Sequence, residues 1–254
     1  MSADSKPIDE KIAKVIARAG ICSRREAERR IEDGRVELDG EMLTSPAVRV
    51  TRQNIIKVDG IEINSKEKTR LWLYYKPNGL ITTHNDPQKR KTVFDSLPSD
   101  MPRVISVGRL DLNTEGLLLL TNNGELSRYI ESPKSNIKRT YKVRVYGDVT
   151  KNQLNKLSNG ISVEDPETGD IVHYGKIDAK FDKDNIDNKG KNFWIIMSIW
   201  EGKNREIRKI CSAIGLQVNR LIRTDYGSFS LDKMKEGDIK EIDYKEINNK
   251  FGDI

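Results

Sequence analysis

Residues 107–125 read V-G-R-L-D-L-N-T-E-G-L-L-L-L-T-N-N-G-E, and we predict that this stretch forms the centre of the fold. Four consecutive leucines at 117–120 lie between Gly116 and a Thr-Asn-Asn-Gly turn signal. A short apolar run bounded by turn residues is typical of a strand that is covered on both faces of a sheet. Asp111 precedes this run, and its residue type and position leave two interpretations open, a turn or helix-cap aspartate and a functional acid.

The composition narrows the class of protein. The 254 residues carry 45 Lys+Arg against 39 Asp+Glu, and this net charge of +6 favours a polyanionic partner. The same charge density also describes an ordinary solvated surface, so charge alone does not decide. Two distant cysteines and no signal peptide indicate a reducing, cytoplasmic compartment, and two histidines disfavour zinc sites and histidine triads. No apolar run approaches the roughly 20 residues of a membrane helix.

The first sixty residues predict a small module of two helices and a hairpin, after a leader at residues 1–7. Helical spacing from residue 9 to Gly20 is carried by Ile12, Val15, Ile16 and Ala19. Ser23 and Glu26 predict a capping box at the start of the second helix. That helix carries the basic residues Arg24, Arg25, Arg29 and Arg30. Asp39-Gly40 predicts a tight hairpin turn. On charge alone, the arginines describe a solvated helix face that neighbouring acids balance.

After a short charged connection at residues 65–69, short strands and helices alternate along the chain. The predicted strands are 71–75, 104–110, 117–121, 140–146, 171–181, 193–200, 217–223 and 228–231. The predicted helices are 125–131, 150–157 and 203–214. Residues 182–192 predict a polar loop, and the last dozen residues predict a frayed tail. This order is typical of an α+β fold with one extensive, mostly antiparallel sheet.

Two further stretches concentrate functional residue types. Residues 134–144 hold five basic side chains and no acid, which suits a phosphate backbone. Tyr141 within that strand is either a tyrosine that caps the core or an aromatic platform for a base. Residues 201–209 read E-G-K-N-R-E-I-R-K at the start of a helix, where an arginine is either solvated or directed at a carboxylate. Cys211 shares the apolar stripe of that helix and is predicted to be buried.

Taken in order, these motifs resemble two known families. A-R-A-G-I-C-S-R-R-E-A-E-R-R-I-E-D-G-R-V-E-L-D-G at residues 17–40 resembles the S4 RNA-binding module. V-G-R-L-D-L-N-T-E-G-L-L-L-L-T-N-N-G-E-L, K-R-T-Y-K-V-R-V, E-G-K-N-R-E-I-R-K and V-N-R-L-I-R-T-D-Y-G follow in that order. Together they resemble the RsuA/RluB family of RNA pseudouridine synthases over about residues 8–242. The last two motifs are closer to the branch that acts on large-subunit ribosomal RNA.

The resemblance implies a small S4 (αL-type) RNA-binding domain at residues 8–62. It also implies a pseudouridine synthase domain with a mixed, mainly antiparallel sheet at residues 70–242. The implied activity is isomerisation of a specific uridine in ribosomal RNA, with the large-subunit (23S) molecule favoured, and it needs no cofactor and no metal. The implied partner is ribosomal RNA or a pre-ribosomal particle, bound by a cytoplasmic monomer with no membrane contact. The alternative is a non-catalytic S4-type RNA-binding or ribosome-assembly factor.

Residue by residue, the resemblance implies a catalytic set. Asp111 is expected to act on the sugar of the target nucleotide, and Arg208 is expected to keep that carboxylate ionised within an apolar pocket. Tyr141 is expected to stack on the flipped uracil, and Leu221 to close the pocket against its ring. Arg109 is expected to fill the space that the nucleotide leaves. The expected RNA contacts outside the pocket are Arg24, Arg25, Arg29, Lys138, Arg139 and Lys142.

Overall fold

The computed structural model describes residues 9–63, 68–165, 168–182 and 191–252. The predicted leader, most of the connection at 65–69 and most of the loop at 182–192 lie outside these residues. The described chain divides into two compact units. Unit 1 comprises Met1–Arg70, Asp100–Ile105 and Asn122–Gly124, and unit 2 comprises Leu71–Ser99, Ser106–Thr121 and Glu125–Ile254. Among the described helices, none is long and apolar enough to cross a membrane.

The first unit contains two short helices and small antiparallel sheets. Its elements are β1 (Glu10–Lys11), α1 (Ile12–Arg18), α2 (Arg24–Glu32), β2 (Val36–Leu38), β3 (Glu41–Met42), β4 (Arg49–Val50), β5 (Ile56–Val58) and β6 (Ile61–Glu62). Ile12 and Ile16 are fully buried in its apolar core, as the helical spacing predicts, and Ile31 of α2 is fully buried with them. The hairpin turn is confirmed, because Asp39 and Gly40 both have positive φ, at 52° and 91°.

The cap of the second helix follows the prediction only in part. The Ser23 side chain accepts a hydrogen bond from the Glu26 N–H at 3.2 Å, so Ser23 is the N-cap. The Glu26 carboxylate instead pairs with Arg29 at 2.5 Å and lies 3.5 Å from Arg30. The reciprocal half of the predicted capping box is therefore wrong, because two arginines one turn away attract the carboxylate more strongly than a backbone amide does.

Most of the remaining elements build one large sheet. In chain order, the remaining helices and strands are β7 (Leu71–Lys76), β8 (Ile105–Val107), β9 (Glu115–Thr121), α3 (Gly124–Glu131), β10 (Arg139–Tyr146), α4 (Lys151–Lys156), β11 (Ile161–Glu164), β12 (Ile171–Tyr174), β13 (Ile177–Phe181), β14 (Asn192–Ile199), α5 (Glu206–Ala213), β15 (Gln217–Tyr226), β16 (Phe229–Ser230), β17 (Ile239–Glu241) and α6 (Tyr244–Phe251). The strands β11 and β12 pair with each other in a separate sheet. Short 3-10 helices occupy Phe94–Ser96, Pro133–Ser135 and Leu157–Asn159. The sheet has the order β13-β14-β10-β15-β9-β7-β17, with β8 paired to β9 and β16 to β15.

The leucine run is the buried strand that the sequence predicts. Every residue of β9 is buried, and Leu117 to Leu120 have no exposed surface. β9 pairs antiparallel with β7 along its length and parallel with β15 at Glu115 and Gly116. The other registered pairs of this sheet are antiparallel. The predicted α+β class with a mixed, mainly antiparallel sheet is confirmed.

Several predicted boundaries are corrected. The predicted strand 171–181 is two strands, because β12 pairs with β11 and β13 pairs with β14. The predicted helix 203–214 begins at Glu206, since Arg205 has a left-handed backbone with φ 51°. The C-terminal residues are not frayed over 244–251, where Asp243 caps α6 and Ile247 is buried. Cys211 is fully buried as predicted, and burial raises the pKa of its thiol to about 12.

Candidate active site

A pocket of about 650 Å³ lies within unit 2, and four separate stretches of the chain form most of its wall. These stretches are the 108–114 loop between β8 and β9, strand β10, residues 201–208 leading into α5, and strand β15. The pocket brings together the predicted site residues Arg109, Asp111, Tyr141, Arg208 and Leu221. Apart from Arg109 and Asp111, these residues are far apart in sequence, so the tertiary fold makes them neighbours.

Asp111 lies on the 108–114 loop, and its side chain is exposed at the pocket. The turn is closed by the backbone, because the Thr114 N–H donates to the Asp111 carbonyl at 3.0 Å. The Asp111 carboxylate itself makes no hydrogen bond or ion pair with the residues that the structure describes. It does not cap a turn or a helix. The expected apolar surroundings also differ, since the acid lies in a charged pocket mouth rather than in a desolvated cavity.

Side-chain hydrogen bonds from Lys76 and Thr82 hold the loop that carries Asp111. Lys76 is fully buried, and its ammonium donates to the carbonyls of Thr114 at 2.8 Å and Leu112 at 3.4 Å. Burial lowers the pKa of Lys76 to about 8. The Thr82 hydroxyl donates to the Leu110 carbonyl at 2.8 Å. These contacts fix loop carbonyls on both sides of the acid, so the position of Asp111 is set by the sheet.

Arg208 reaches the same loop from helix α5. Its guanidinium donates to the Asn113 carbonyl at 2.8 Å, two residues beyond Asp111. No ion pair joins Arg208 to Asp111 among the described residues. Burial lowers the pKa of Arg208, the Arg205 charge lowers it further, and the Asp111 carboxylate opposes both effects. The two predicted partners therefore attract one another across the pocket without direct contact.

Tyr141 and Leu221 form the apolar wall of the pocket. They lie on neighbouring strands, with Val143 opposite Leu221 and Tyr141 opposite Arg223 in the register of β10 and β15. Tyr141 is 8% exposed and Leu221 5% exposed. Alternate residues of β10 are buried, which places Tyr141 and Val143 on one face of the strand. The Tyr141 hydroxyl makes no hydrogen bond within the described chain, so ring and hydroxyl are both available to a bound group.

Two basic residues of β10 have partners inside the protein. Arg139 is buried, and its guanidinium donates to the Trp200 and Glu201 carbonyls at 3.1 and 2.9 Å. Lys142 forms an ion pair with Asp182 at 2.8 Å, an acid that lies outside the 134–144 stretch. These contacts correct the expectation that both side chains bind RNA directly, because saturated or neutralised cations have little left for phosphate.

The other predicted RNA contacts are solvent-accessible. Lys138 is exposed just before β10, and Arg109, the residue predicted for the substrate pocket, is exposed as well. In the first unit, Arg24 and Arg25 are exposed on α2 and have no ion pair among the described residues. Arg29 is 71% exposed and pairs with Glu26 at the surface, where such a pair is easily exchanged for another anion. At these positions the side chains are accessible to RNA, and their role in binding it stays a prediction.

Gly116 is not among the predicted site residues, although it shapes the pocket. Its φ is +102°, and a Cβ at this position would lie 2.3 Å from the Arg223 carbonyl oxygen. The missing side chain therefore lets β15 approach β9 and carry Leu221 and Arg223 to the pocket. The available signal was a glycine directly at the start of an apolar strand pattern, where a glycine can mark close backbone approach.

Glu206 is a buried acid in the pocket wall. It is 4% exposed at the start of α5, and its carboxylate accepts a hydrogen bond from the Lys203 N–H at 2.9 Å. Burial raises the pKa of Glu206 to about 7, and the hydrogen bond from Lys203 partly opposes this. The neutral carboxyl is therefore the favoured form in the folded protein below neutral pH.

Replacing Glu206 by glutamine is expected to flatten the pH dependence of stability. A folded pKa of about 7 against an ordinary 4.5 makes the stabilisation fully present below about pH 4.5 and lost as the pH rises through about 7. The loss corresponds to about 3 kcal/mol in the free energy of unfolding. Urea unfolding between pH 4.5 and 8 measures it, with Glu32→Gln at an exposed position as control. Parallel curves for wild type and Glu206→Gln would contradict the assignment.

Within the described chain, no group of three or more His, Cys, Asp or Glu residues is arranged to hold a metal ion. The chemistry available to the pocket's own residues is that of a free carboxylate, an aromatic wall and several arginines. Such a set is able to bind and orient a planar base and to act on a carbon next to it.

Comparison with known protein families agrees with this chemistry. Residues 70–213 match the family model described as RNA pseudouridylate synthase. Residues 10–56 match the S4 domain. The first match contains Asp111, Tyr141 and Arg208.

Individual proteins match nearly the whole chain. A Rickettsia felis protein called an uncharacterized RNA pseudouridine synthase is 50% identical over 242 residues, covering 95% of this chain and 98% of the relative. The Salmonella typhi ribosomal large subunit pseudouridine synthase B is 42% identical over 249 residues, covering 95% and 82%. A crystal structure of a pseudouridylate synthase superposes with a TM-score of 0.64 at 24% identity, covering 94% of this chain and 98% of that one. This last likeness concerns the fold.

Proposed function

This chain belongs to the RNA pseudouridylate synthase family and is an RNA pseudouridine synthase with an S4 domain, and on that premise we propose that its substrate is large-subunit ribosomal RNA. Support for this target comes from the 42% identity with the Salmonella typhi large-subunit enzyme. The reaction converts one uridine into its C-glycoside isomer: the bond from N1 to C1′ breaks, the base rotates, and a bond from C5 to C1′ forms. The C5 proton is lost and N1 gains one, so atoms balance without an added reactant.

In this proposal Asp111 is the catalytic residue, and it acts as an ionised carboxylate. Its carboxylate is exposed to the pocket and has no partner among the described residues, which leaves it available to the sugar of the bound nucleotide. Arg208 carries the opposite charge on the other side of the pocket and holds the loop through the Asn113 carbonyl. When RNA fills the pocket mouth and displaces water, the attraction between Asp111 and Arg208 strengthens, because the local dielectric constant falls.

The target base enters the pocket by flipping out of the RNA. Tyr141 and Leu221 lie close together on neighbouring strands and receive the two faces of the uracil ring. Arg109 flanks Asp111 at the pocket and is placed to occupy the space that the flipped nucleotide leaves. Because flipping costs a few kcal/mol, loops and bulges of the RNA are favoured targets.

RNA outside the pocket is bound by basic surfaces. We assign residues 8–62 to the S4 domain and residues 70–242 to the catalytic domain. In the first, Arg24, Arg25 and Arg29 offer exposed cations on helix α2, and in the second Lys138 does so. The enzyme is proposed to act as a monomer, on ribosomal RNA or on an assembly particle. Arg139 and Lys142 are reassigned to holding the β10 wall in place.

The single observation that carries the proposed catalytic roles is the pocket itself. Asp111, Tyr141, Arg208 and Leu221 come from four different elements and line one cavity. A protein that used only its basic surfaces to bind RNA would have no need of an unpaired carboxylate beside an aromatic wall. The non-catalytic alternative also predicts that the Asp111 carboxylate caps a turn through a hydrogen bond. Among the described residues, the Asp111 carboxylate makes no such bond.

Pseudouridine mapping of ribosomal RNA tests the target. Cells lacking the gene are expected to lose one or a few pseudouridines in large-subunit RNA, and purified enzyme is expected to restore them on the extracted RNA. The Asp111→Asn enzyme serves as the matched control and is expected to restore none. An unchanged large-subunit profile, or a loss confined to small-subunit RNA, would refute the proposed substrate.

A further inference from the structure

Arg223 is a buried arginine in the pocket wall that the catalytic set does not use. It is 3% exposed on strand β15. Its Nε donates to the Leu117 carbonyl at 2.7 Å, and its guanidinium carbon lies 4.8 Å from the centre of the Tyr226 ring. Its Nη2 is enclosed and has no hydrogen-bond acceptor in the described chain. No carboxylate among the described residues pairs with it.

A buried, charged donor without an acceptor is costly to keep in a folded protein. Arg139 shows the usual solution nearby, since its guanidinium donates to several carbonyls. Arg223 lies on the same pocket with only one such bond. Its Nη1 also makes no hydrogen bond with the described residues and, unlike Nη2, is not enclosed. An acceptor that a bound molecule brings into the pocket would meet this donor.

The sheet register places Arg223 beside the proposed base platform. Arg223 is directly opposite Tyr141 in the antiparallel pair, and residues in this relation have Cβ atoms about 5 Å apart on one face. Leu221 lies two residues earlier on the same strand and therefore on the same face. If Tyr141 and Leu221 contact the faces of the uracil ring, Arg223 meets its edge.

We propose that Arg223 binds the carbonyl edge of the target uracil and stabilises the negative charge that the base carries after its bond to C1′ breaks. The inference rests on the proposed function and deepens it. The electron pair of the broken bond moves into the uracil ring and spreads over N1, O2 and O4. A guanidinium donates hydrogen bonds to these oxygens and stays protonated throughout, so it gives no proton to the leaving base. Donors that are oriented before the reaction stabilise developing charge without reorganisation.

Phosphate is the competing acceptor, and the pocket offers other cations for it. Arg109 and Arg205 line the same pocket, are exposed, and have no ion pair among the described residues. Because the RNA backbone stays at the surface when a base is flipped inward, these exposed arginines lie closer to its phosphates. Arg223 is buried in the wall next to Tyr141, where the base is proposed to lie.

The test combines changes in the enzyme with changes in the base. Single-turnover rates are measured with excess enzyme on an RNA fragment that carries uridine, 2-thiouridine or 4-thiouridine at the target position. Arg223→Gln is expected to slow conversion of uridine by about 10²-fold or more, with RNA affinity within about threefold of wild type. Sulfur accepts hydrogen bonds poorly, so at least one thio-substitution should slow the wild type and have no further effect on Arg223→Gln. Arg128→Gln, an exposed arginine on helix α3 that lies outside the pocket, is the charge-matched control.

Three outcomes would overturn the inference. One is an unchanged single-turnover rate for Arg223→Gln. Another is that each thio-substitution slows Arg223→Gln by the same factor as it slows the wild type, which shows that the side chain and the base oxygens act independently. The third is weaker RNA binding with a reduced salt dependence and a normal rate at saturation, which assigns Arg223 to a phosphate. If Arg223→Gln fails to fold, the wild-type series still decides, because equal rates on all three bases exclude the contact. Activity of Asp111→Asn would refute the proposed function instead, and the two failures are thus distinguishable.

Discussion

Replacing Asp111 by asparagine is expected to abolish pseudouridine formation and to leave RNA binding intact. The amide has nearly the same shape as the carboxylate but neither attacks a sugar carbon nor removes a proton from it. The rate should fall by at least about 10³-fold, within the range for loss of a positioned acid–base group. Because the Asp111 side chain makes no hydrogen bond or ion pair with the described residues, the change should alter stability by less than about 1 kcal/mol. Release of label from C5-tritiated uridine in ribosomal RNA measures turnover, and fluorescence anisotropy measures binding.

Asp170→Asn is the matched control for this variant. Asp170 is also exposed in the second unit, and it lies outside the pocket, so its replacement should leave turnover unchanged. Asp111→Glu is expected to be nearly as inactive as Asp111→Asn, since Lys76 and Arg208 hold the loop backbone and the longer side chain displaces the carboxylate. Turnover by Asp111→Asn within tenfold of wild type would contradict the catalytic assignment.

Replacing Gly116 by alanine is expected to destabilise the protein severely and to remove activity. The new Cβ would lie 2.3 Å from the Arg223 carbonyl oxygen and 2.7 Å from its nitrogen, and the φ of +102° is one that side chains rarely adopt. Backbone atoms cannot yield as a flexible side chain does, so β15 must separate from β9. We expect a loss of about 3–5 kcal/mol in the free energy of unfolding, at the upper end for single substitutions. Urea unfolding measures the loss.

Gly237→Ala separates the two causes of that loss. Gly237 also has a positive φ, of +88°, but a Cβ there would have no atom within 4 Å. Its replacement is expected to cost about 1 kcal/mol, from backbone strain alone. Equal losses for the two variants would show that the close approach of β9 and β15 at Gly116 contributes nothing.

Much of the fold was predictable because local chemistry and tertiary packing agree. The leucine run of 117–120 is apolar on both faces and becomes a fully buried strand. Asp39-Gly40 adopts the positive φ angles that its hairpin requires. Where local polarity and tertiary packing disagree, the prediction failed. Residues 244–251 are polar enough to suggest a tail, yet Phe251 packs against Tyr129 and Phe229 and helix α6 forms.

The site shows the same division. Motif order identified Asp111, Tyr141, Arg208 and Leu221 as candidates, and all four line one pocket. A run of basic residues does not reveal which of its members meet a partner elsewhere. Lys142 is paired with Asp182, an acid distant in sequence that only strand pairing brings close. The buried donors of Arg223 are likewise invisible in the sequence, where it is one basic residue among 45.

By itself, the sequence determined most of the elements, the order of the two modules and the residue types at the candidate site, because periodicity, turn residues and motifs are local properties. The tertiary structure decided which charges are free and which are satisfied. Lys76, Arg139 and Arg223 have similar charges in the sequence, and burial gives them different surroundings. The physical reason is that the cost of burying a charge depends on every group within a few ångströms, and those groups come from strands distant along the chain. Asp111 is the converse case, because the fold leaves its carboxylate unpaired beside an aromatic wall.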